Sequence, residues 1–249
     1  MKFINKFKSY SFDKRKKSKI NYVIIHYTAL ENCKKAISHL CNENNKVSSH
    51  FIISQKGQIY TLVNEKYRAW HAGVSSWNGE SDLNSSSIGI ELDYSLKYKN
   101  NKFSKNMMRS LSLLLTYILK KYKINNRNVL GHSDIAPFRK KDPGKYFPWK
   151  FLYNKNIAFC PDKKNKIYLK ILNKWFEKYH FNSKKKVIIL LFNFIGYDTS
   201  LVVHNNYLYK KLIIAYQTHF IQSNVNGIVD DKTFTYIKIH FLTLVLKKL

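Results

Sequence analysis

The chain has 249 residues, of which 45% are hydrophobic and 15% aromatic, so it can bury a sizeable core in one or two domains. Lys and Arg outnumber Asp and Glu by 44 to 15, and the net charge of +29 indicates either attraction to an anionic partner or a coding bias toward lysine at exposed positions. Three cysteines without a CxxC pair exclude a disulfide framework, and the longest apolar run, residues 187–196, has about half the length of a membrane span.

The N-terminal residues 1–19 are basic but contain no apolar stretch and no small-residue cleavage site. They also contain no cysteine that could carry a lipid anchor. These residues by themselves predict no export signal, no transmembrane segment and a cytoplasmic location.

Strands and helices alternate in the first half of the chain. Residues 21–28 are rich in β-branched and aromatic side chains and predict a buried strand, and a helix is predicted over 31–43. Strands over 50–54 and 58–63 flank a Lys-Gly turn, which is typical of a hairpin. In the strand predicted over 87–94, apolar side chains alternate with Gly89, Glu91 and Asp93, so one face is polar.

The second half begins with a long amphipathic helix, capped by Ser104 and running to about Tyr122. A short strand over 126–132 follows, and an irregular loop is predicted over 133–150. The remaining predicted elements are helices, the last of them capped by Asp230 or Asp231, and they cover 167–180, 186–196, 207–220 and 231–247. We therefore predict an α/β domain over residues 1–180 and a small helical domain over 186–249, joined by a Lys-rich linker.

Two of the nine histidines stand at strand ends, where side chains meet a cleft at the sheet edge. These are His26 and His132, and Asp142 follows ten residues after His132. Two imidazoles, one carboxylate and an open fourth position form the ligand set of a catalytic zinc site. Pro137 and Pro143 stiffen the loop that would hold His132 and Asp142 in a fixed relation. From spacing alone, a turn-rich structural loop without a metal stays an open alternative.

A catalytic zinc also requires a proton acceptor and a group that stabilises an oxyanion. Glu91 is the candidate base, because it lies on the polar face of its strand and burial would raise its pKa. Lys140 is two residues before Asp142, so in an extended segment both side chains point the same way. A solvated glutamate and an ordinary surface lysine are the alternatives.

The loop over residues 68–79 carries Trp70, His71 and Trp77 among small residues. Exposed aromatic side chains of this kind stack on sugar rings or peptide planes. We therefore predict substrate-binding roles for these three residues, although one of the two tryptophans is expected to belong to the core.

These motifs together resemble one known family. The matching segments are VIIHYTA (23–29), VSSHFI (47–52), IYTLV (59–63), AWHAGVSSW (69–77), LNSSSIGIEL (83–92) and HSDIAPFRKKDPGKYFPW (132–149). In this order they are similar to the zinc-dependent N-acetylmuramoyl-L-alanine amidases of the type-2 family, relatives of the peptidoglycan recognition proteins. The segment AYQTHFIQSNVNGIVDDKTF (215–234) is similar, more weakly, to part of a three-helix peptidoglycan-binding domain.

The resemblance implies a mixed central β-sheet flanked by helices, with one Zn²⁺ per chain bound by His26, His132 and Asp142. It also implies that Glu91 is the catalytic base and that Lys140 stabilises the oxyanion. The expected reaction is hydrolysis of the amide between the lactyl group of N-acetylmuramic acid and L-alanine, in cell-wall turnover or recycling. The expected partner is peptidoglycan or a muropeptide, with no nucleic acid, and the expected state is a monomer in the cell envelope.

The sequence also bears on two other functions, muropeptide recognition without cleavage and nucleic-acid binding. Some recognition proteins of this fold bind muropeptides without cutting them, but such relatives commonly lose a metal ligand, and all three are present here. A basic nucleic-acid-binding protein would require salt-sensitive binding and a recognised motif, and the sequence contains no such motif. The short loop between the strands at 50–54 and 58–63 departs from the family pattern and bears on the width of the substrate groove.

Overall fold

A computed structural model describes residues 1–97, 102–161, 166–179 and 183–246 of the chain. By its internal contacts the chain forms two compact units. The first comprises residues 1–75 and 81–159, and the second comprises residues 76–80 and 160–249. Within the described ranges, no helix is both long enough and apolar enough to cross a membrane.

The first unit is built on a six-stranded mixed sheet. The strands of the chain are β1 (Phe3–Ile4), β2 (Phe12–Lys14), β3 (Tyr22–Tyr27), β4 (Phe51–Ile53), β5 (Ile59–Thr61), β6 (Tyr67–Ala69), β7 (Ser76–Trp77), β8 (Glu80–Ser81), β9 (Ser87–Leu92) and β10 (Val129–Gly131). The sheet order is β1-β5-β4-β9-β3-β10, in which β4 and β5 are antiparallel and the other neighbours are parallel. The predicted hairpin is confirmed, with Gly57 at φ 81° in its turn.

Strand β9 divides the first unit into two faces, as its alternation predicts. Ile88, Ile90 and Leu92 point into the main core, whereas the side chain of Glu91 points to the opposite face. Ser104 caps the long helix by accepting a hydrogen bond from the Met107 N–H, which confirms the predicted cap. The main core thus lies between the sheet and this helix. The opposite face carries Glu91 and a smaller apolar cluster, in which Ile52 and Leu62 pack with residues 36–40.

Helices make up just under half of the remaining described residues. They are α1 (Cys33–Cys41), α2 (Leu83–Ser86), α3 (Lys105–Tyr122), α4 (His132–Ile135), α5 (Trp149–Tyr153), α6 (Lys166–Lys178), α7 (Lys184–Ile195), α8 (Asn206–Phe220) and α9 (Asp231–Leu246). Two of them correct the prediction of a wholly irregular segment over 133–150, because single turns of helix form at its two ends. The predicted helix ends at 180 and 247 lie outside the described residues.

The second unit contains α6 to α9 and a turn organised by one buried side chain. The carboxamide oxygen of Gln217 accepts hydrogen bonds from the backbone N–H groups of Asn226 and Gly227, at 3.1 and 2.8 Å. Its amide nitrogen donates to the Ile228 carbonyl at 2.9 Å. Asp230 caps α9 by accepting from the Thr233 N–H at 2.7 Å. The glutamine therefore fixes the turn between the last two helices.

Candidate metal centre

Three parallel strands bring the site together at one edge of the sheet. His26 lies near the end of β3 and pairs in register with Glu91 of β9, while His132 directly follows β10 on the other side of β3. Ligand sites of α/β sheets form at the carboxyl ends of parallel strands. The pairing of β3 with both neighbours therefore places these three side chains around one cleft.

His26, His132 and Asp142 converge through three atoms. The two Nδ1 atoms are 2.9 Å apart, and each lies 3.1 Å from Oδ2 of Asp142. Ligands that bind Zn²⁺ tetrahedrally at about 2.0–2.1 Å lie about 3.3 Å from one another. The triangle therefore has nearly the size that one small divalent ion requires.

A chain of hydrogen bonds behind His26 fixes which of its nitrogens carries hydrogen. The Ser87 hydroxyl donates to the Leu83 carbonyl at 2.5 Å, so its oxygen accepts from Nε2–H of His71 at 3.2 Å. Nδ1 of His71 is then an acceptor, and Nε2–H of His26 donates to it at 3.0 Å. As a result, Nδ1 of His26 carries a lone pair and no hydrogen.

His132 is fixed in the same tautomer by a backbone carbonyl. Its Nε2 lies 3.1 Å from the Ala72 oxygen and donates to it. Arg139 Nη2 lies 3.3 Å from the same Nε2, but its two hydrogens go to the carbonyls of Ala72 and Val74, at 2.5 and 2.7 Å. In the neutral imidazole with this tautomer, Nδ1 of His132 is also an acceptor.

With both imidazoles neutral and in these tautomers, no hydrogen lies between the three converging atoms, and a bound cation would relieve the repulsion between their lone pairs. Burial and the nearby His132 lower the pKa of His26 to about 4, so its imidazole is neutral at pH 7. Although burial opposes ionisation of Asp142, positive charge on His132 or His26, and hydrogen bonds that they donate to its carboxylate in the metal-free protein, hold the pKa of this carboxyl well below the usual range. Neutral imidazoles and an ionised carboxylate are the forms that bind a metal, so the residues present fit a divalent ion.

The segment that holds Asp142 is tied to the end of β10. The Ser133 N–H donates to the Asp142 carbonyl at 2.9 Å, and the Gly131 N–H donates to the Asp134 carboxylate at 2.7 Å. Pro143, which follows Asp142 through a cis peptide bond, lies so close to Gly131 that a Cβ there would be 2.6 Å from its Cδ. A residue other than glycine at position 131 would displace the Asp142 segment.

Glu91 is a carboxyl group with one oxygen hidden from solvent. Among the described residues, its Oε2 has no hydrogen-bond partner. Burial, followed by repulsion from the Asp142 carboxylate, raises the pKa of Glu91 to about 8, and the Lys140 charge opposes the shift. Such a group has a high proton affinity and faces the same cleft as His26, His132 and Asp142.

Lys140 lies on the segment between His132 and Asp142. Its backbone N–H donates to the Ala136 carbonyl at 3.0 Å. Its charge lowers the pKa values of both His26 and Glu91, so the ammonium acts on the cleft. Within the described chain, no ion pair is formed by this ammonium.

The three residues of the aromatic loop lie in different environments. Trp70 is half-buried, and its Nε1–H donates to the Asp13 carboxylate at 2.7 Å. His71 is buried behind His26, and a Cβ on Gly89 would be 2.4 Å from its ring. Trp77 is buried in the second unit with its ring 4.8 Å from that of Tyr197. Of the three rings, only that of Trp70 has exposed surface for a ligand.

Sequence reasoning missed two residues that shape the site. Arg139 ties the Ala72–Val74 backbone to the ligand segment through the hydrogen bonds described above. Gly89 provides the space for the His71 ring. The glycine could have been noticed, because a lone glycine inside an apolar strand often marks close approach of another group. The arginine carried no spacing signal among so many basic residues.

A family model described as N-acetylmuramoyl-L-alanine amidase matches residues 16–145. The N-acetylmuramoyl-L-alanine amidase AmiD of Escherichia coli is 32% identical over 244 residues, which cover 90% of this chain and 85% of AmiD. The 1,6-anhydro-N-acetylmuramyl-L-alanine amidase AmpD of Haemophilus influenzae is 44% identical over 105 residues, which cover 42% of this chain and 55% of AmpD.

Solved structures of two relatives extend the likeness over most of the chain. E. coli AmiD in complex with the substrate anhydro-N-acetylmuramic acid-L-Ala-D-γ-Glu-L-Lys has a TM-score of 0.77 at 30% identity, covering 90% of this chain and 89% of AmiD. AmpDh3 of Pseudomonas aeruginosa has a TM-score of 0.76 at 28% identity, covering 96% of this chain and 97% of AmpDh3. The mixed sheet flanked by helices is the fold of these amidases.

Proposed function

The chain belongs to the N-acetylmuramoyl-L-alanine amidase family, and we propose that its metal centre hydrolyses the amide bond between the lactyl group of N-acetylmuramic acid and L-alanine. It is an amide hydrolase of peptidoglycan turnover or recycling, as its relatives are. One observation supports this mechanism. Nδ1 of His26, Nδ1 of His132 and Oδ2 of Asp142 lie 2.9–3.1 Å apart, beside the Glu91 carboxyl with its buried, unpaired oxygen.

Zinc is the ion that we propose for this centre. Two neutral imidazoles from His26 and His132 and the carboxylate of Asp142 form a typical catalytic zinc set that leaves a position open. When bound, such an ion lowers the pKa of a water molecule and polarises a carbonyl group. His71 acts as a positioning residue, because it keeps the hydrogen of His26 on the nitrogen that faces away from the ion.

Glu91 is the proposed general base. Its buried Oε2 is placed to accept the proton of the attacking water. Without a metal the pKa of Glu91 is about 8, and the positive charge of a bound ion would lower it, so that the carboxylate is ionised before it accepts that proton. The same carboxyl then gives the proton to the departing amine of L-alanine, which breaks the amide bond. The ammonium of Lys140 stabilises the negative charge that develops on the lactyl carbonyl oxygen.

The substrate proposal follows from the relatives. E. coli AmiD was solved with an anhydro-N-acetylmuramyl tripeptide described as its substrate, and AmpDh3 was solved with an anhydromuramic pentapeptide. We extend muropeptide cleavage to this chain and assign the exposed ring of Trp70 to substrate contact. Substrate contacts by His71 and Trp77, peptidoglycan binding by residues 186–249, the monomeric state and the location stay predictions.

Digestion of purified peptidoglycan with and without a chelator tests the proposal. Peptides with new L-alanine N-termini should be released by the untreated protein, lost on chelation and restored by added zinc. Glu91→Gln should abolish release while the bound zinc, measured by elemental analysis, stays at one per chain. Undiminished cleavage by Glu91→Gln would refute its role, and a zinc-loaded wild-type protein that binds muropeptides without cutting them would be a recognition protein.

A further inference from the structure

An exposed row of apolar side chains runs along α6 in the second unit. Its members recur every four residues and therefore lie on one side of the helix. Their exposed fractions are 73% for Ile167, 58% for Ile171, 46% for Trp175 and 56% for Tyr179. Large apolar side chains exposed together along one side of a helix suggest an interaction surface.

This row is separate from the face that α6 uses for internal packing. Leu169, Leu172 and Phe176 are only half-exposed. On the same inner side, the Lys238 ammonium of α9 donates to the Asn173 side chain at 2.7 Å. The exposed row is therefore an additional apolar surface beyond the one that attaches the helix to its unit.

A row of lysines flanks the apolar row. Lys170, Lys174 and Lys178 are all exposed, also recur every four residues, and each precedes one member of the apolar row. The acidic residue among positions 167–179 is Glu177. This combination of an aliphatic and aromatic row with a cationic flank is the pattern of helices that lie in the interface of an anionic lipid bilayer.

We propose that α6 is a docking surface for the anionic surface of a lipid membrane. The aliphatic residues Ile167 and Ile171 suit the boundary between headgroups and acyl chains, whereas a sugar-binding platform uses aromatic rings. Two copies of this chain joined through α6 would bring their lysine rows together, which like-charge repulsion opposes. The cationic flank favours an anionic lipid surface through charge complementarity.

Co-sedimentation of the full chain with lipid vesicles tests this proposal. We expect binding to vesicles of phosphatidylcholine with one quarter phosphatidylglycerol, weaker binding at high salt, and little binding to pure phosphatidylcholine. Entry of Trp175 into the interface should also shift the tryptophan emission to shorter wavelength. Absence of sedimentation with either vesicle at low salt would overturn the proposal.

Two sets of variants distinguish binding through α6 from nonspecific hydrophobic binding and from attraction by the net charge of the chain. Ile171→Ser with Trp175→Ser should weaken vesicle binding at least tenfold, whereas Leu113→Ser, at a 51% exposed leucine of α3, should leave it unchanged. Replacing the three flanking lysines of α6 by glutamine should weaken it roughly 100-fold, at about fivefold for each lysine. The charge-matched control replaces three other exposed lysines, Lys34, Lys46 and Lys56, by glutamine, and its vesicle binding should weaken much less.

Equal losses in the two lysine sets, or full binding by the Ile171→Ser, Trp175→Ser double variant, would overturn the proposal. Two other results for that double variant would also overturn it. One is a loss of binding to insoluble peptidoglycan with vesicle binding unchanged. The other is a loss of dimers in analytical ultracentrifugation with vesicle binding unchanged. Hydrolysis of a soluble muropeptide should be unchanged in every variant, because α6 contributes no residue to the metal centre. This comparison also shows that the variants are folded.

Discussion

Replacing His71 by phenylalanine isolates the hydrogen-bond chain behind the metal centre. The ring size is nearly kept, so the space over Gly89 stays filled. What is lost is the Nδ1 acceptor that lies 3.0 Å from Nε2 of His26. His26 is then more stable with its hydrogen on Nδ1, where the Asp142 carboxylate, 3.1 Å away, accepts it. To bind Nδ1, a metal ion must displace that hydrogen, which then moves to Nε2 of His26. In the variant, Nε2–H has no acceptor.

The expected loss of metal affinity follows from the cost of that unpaired donor. A buried donor without a partner costs about 1–3 kcal/mol. Since about 1.4 kcal/mol corresponds to a tenfold change in a binding constant, the zinc dissociation constant should rise by about 5- to 150-fold. Ser87→Ala removes only the far end of the chain, so its effect should lie between those of wild type and His71→Phe.

Competition with a chromophoric chelator at pH 7 measures the zinc dissociation constant, and the visible spectrum of the cobalt-substituted protein reports on ligand geometry. His240→Phe, at a buried histidine of the second unit, is the matched control and should leave metal affinity unchanged. Circular dichroism verifies that each variant is folded. A dissociation constant for folded His71→Phe within twofold of the wild-type value would refute the reasoning.

Three further predictions follow from other parts of the structure. Lys140→Ala should lower kcat by about 100-fold or more with little change in bound zinc, as expected for loss of an oxyanion-stabilising group; an unchanged kcat would contradict this role. Gly131→Ala should both destabilise the fold and weaken zinc binding, because its Cβ would lie 2.6 Å from Pro143 Cδ. Thermal unfolding measures the stability, and chelator competition measures the zinc affinity. Wild-type values in both assays would contradict the steric argument. Burial lowers the pKa of His50 and of His240 from the ordinary 6.5 to about 3, with repulsion from Arg15 and His219 respectively adding to it. At acidic pH the unfolded chain therefore binds protons at these two histidines that the folded chain does not bind. As the pH decreases below about 6, the free energy of unfolding of the metal-free protein should fall by about 1.4 kcal/mol per pH unit for each of the two histidines. Urea denaturation at pH 7, 6 and 5 measures this slope, and His240→Gln should reduce it by that amount; equal slopes would contradict the assignment.

The sequence predicted those parts of the fold that local patterns determine. The alternation in β9 placed Glu91 on the face opposite Ile90, and the run ending at His26 predicted a buried strand. Ser104 was recognisable as a cap because its hydroxyl satisfies an N–H group of the following turn. Strands β1, β2 and β6 were missed because two or three residues carry no measurable periodicity, and they form by pairing with distant strands.

The candidate site was less predictable wherever a role depends on a distant residue. The loop that carries His71 suggested an exposed stacking surface, yet its position behind His26 depends on the absence of a side chain at Gly89. Trp77 lies against Tyr197, which is 120 positions later in the chain and carries no local signal of this contact. Lys140 and Arg139 are adjacent basic residues, and only the folded chain distinguishes the one that donates to the Ala72 carbonyl.

The location of the chemistry within the chain also constrains what the second unit does. The proposed metal ligands, the base, the cation and the hydrogen-bond chain behind His26 come from residues 26–142, inside the range that the family model matches. AmpD of H. influenzae aligns over 105 residues, 42% of this chain. None of the proposed catalytic residues therefore lies in α6 to α9. If α6 docks the enzyme on a membrane as we propose, α6 variants should change membrane binding without changing the rate on a soluble muropeptide.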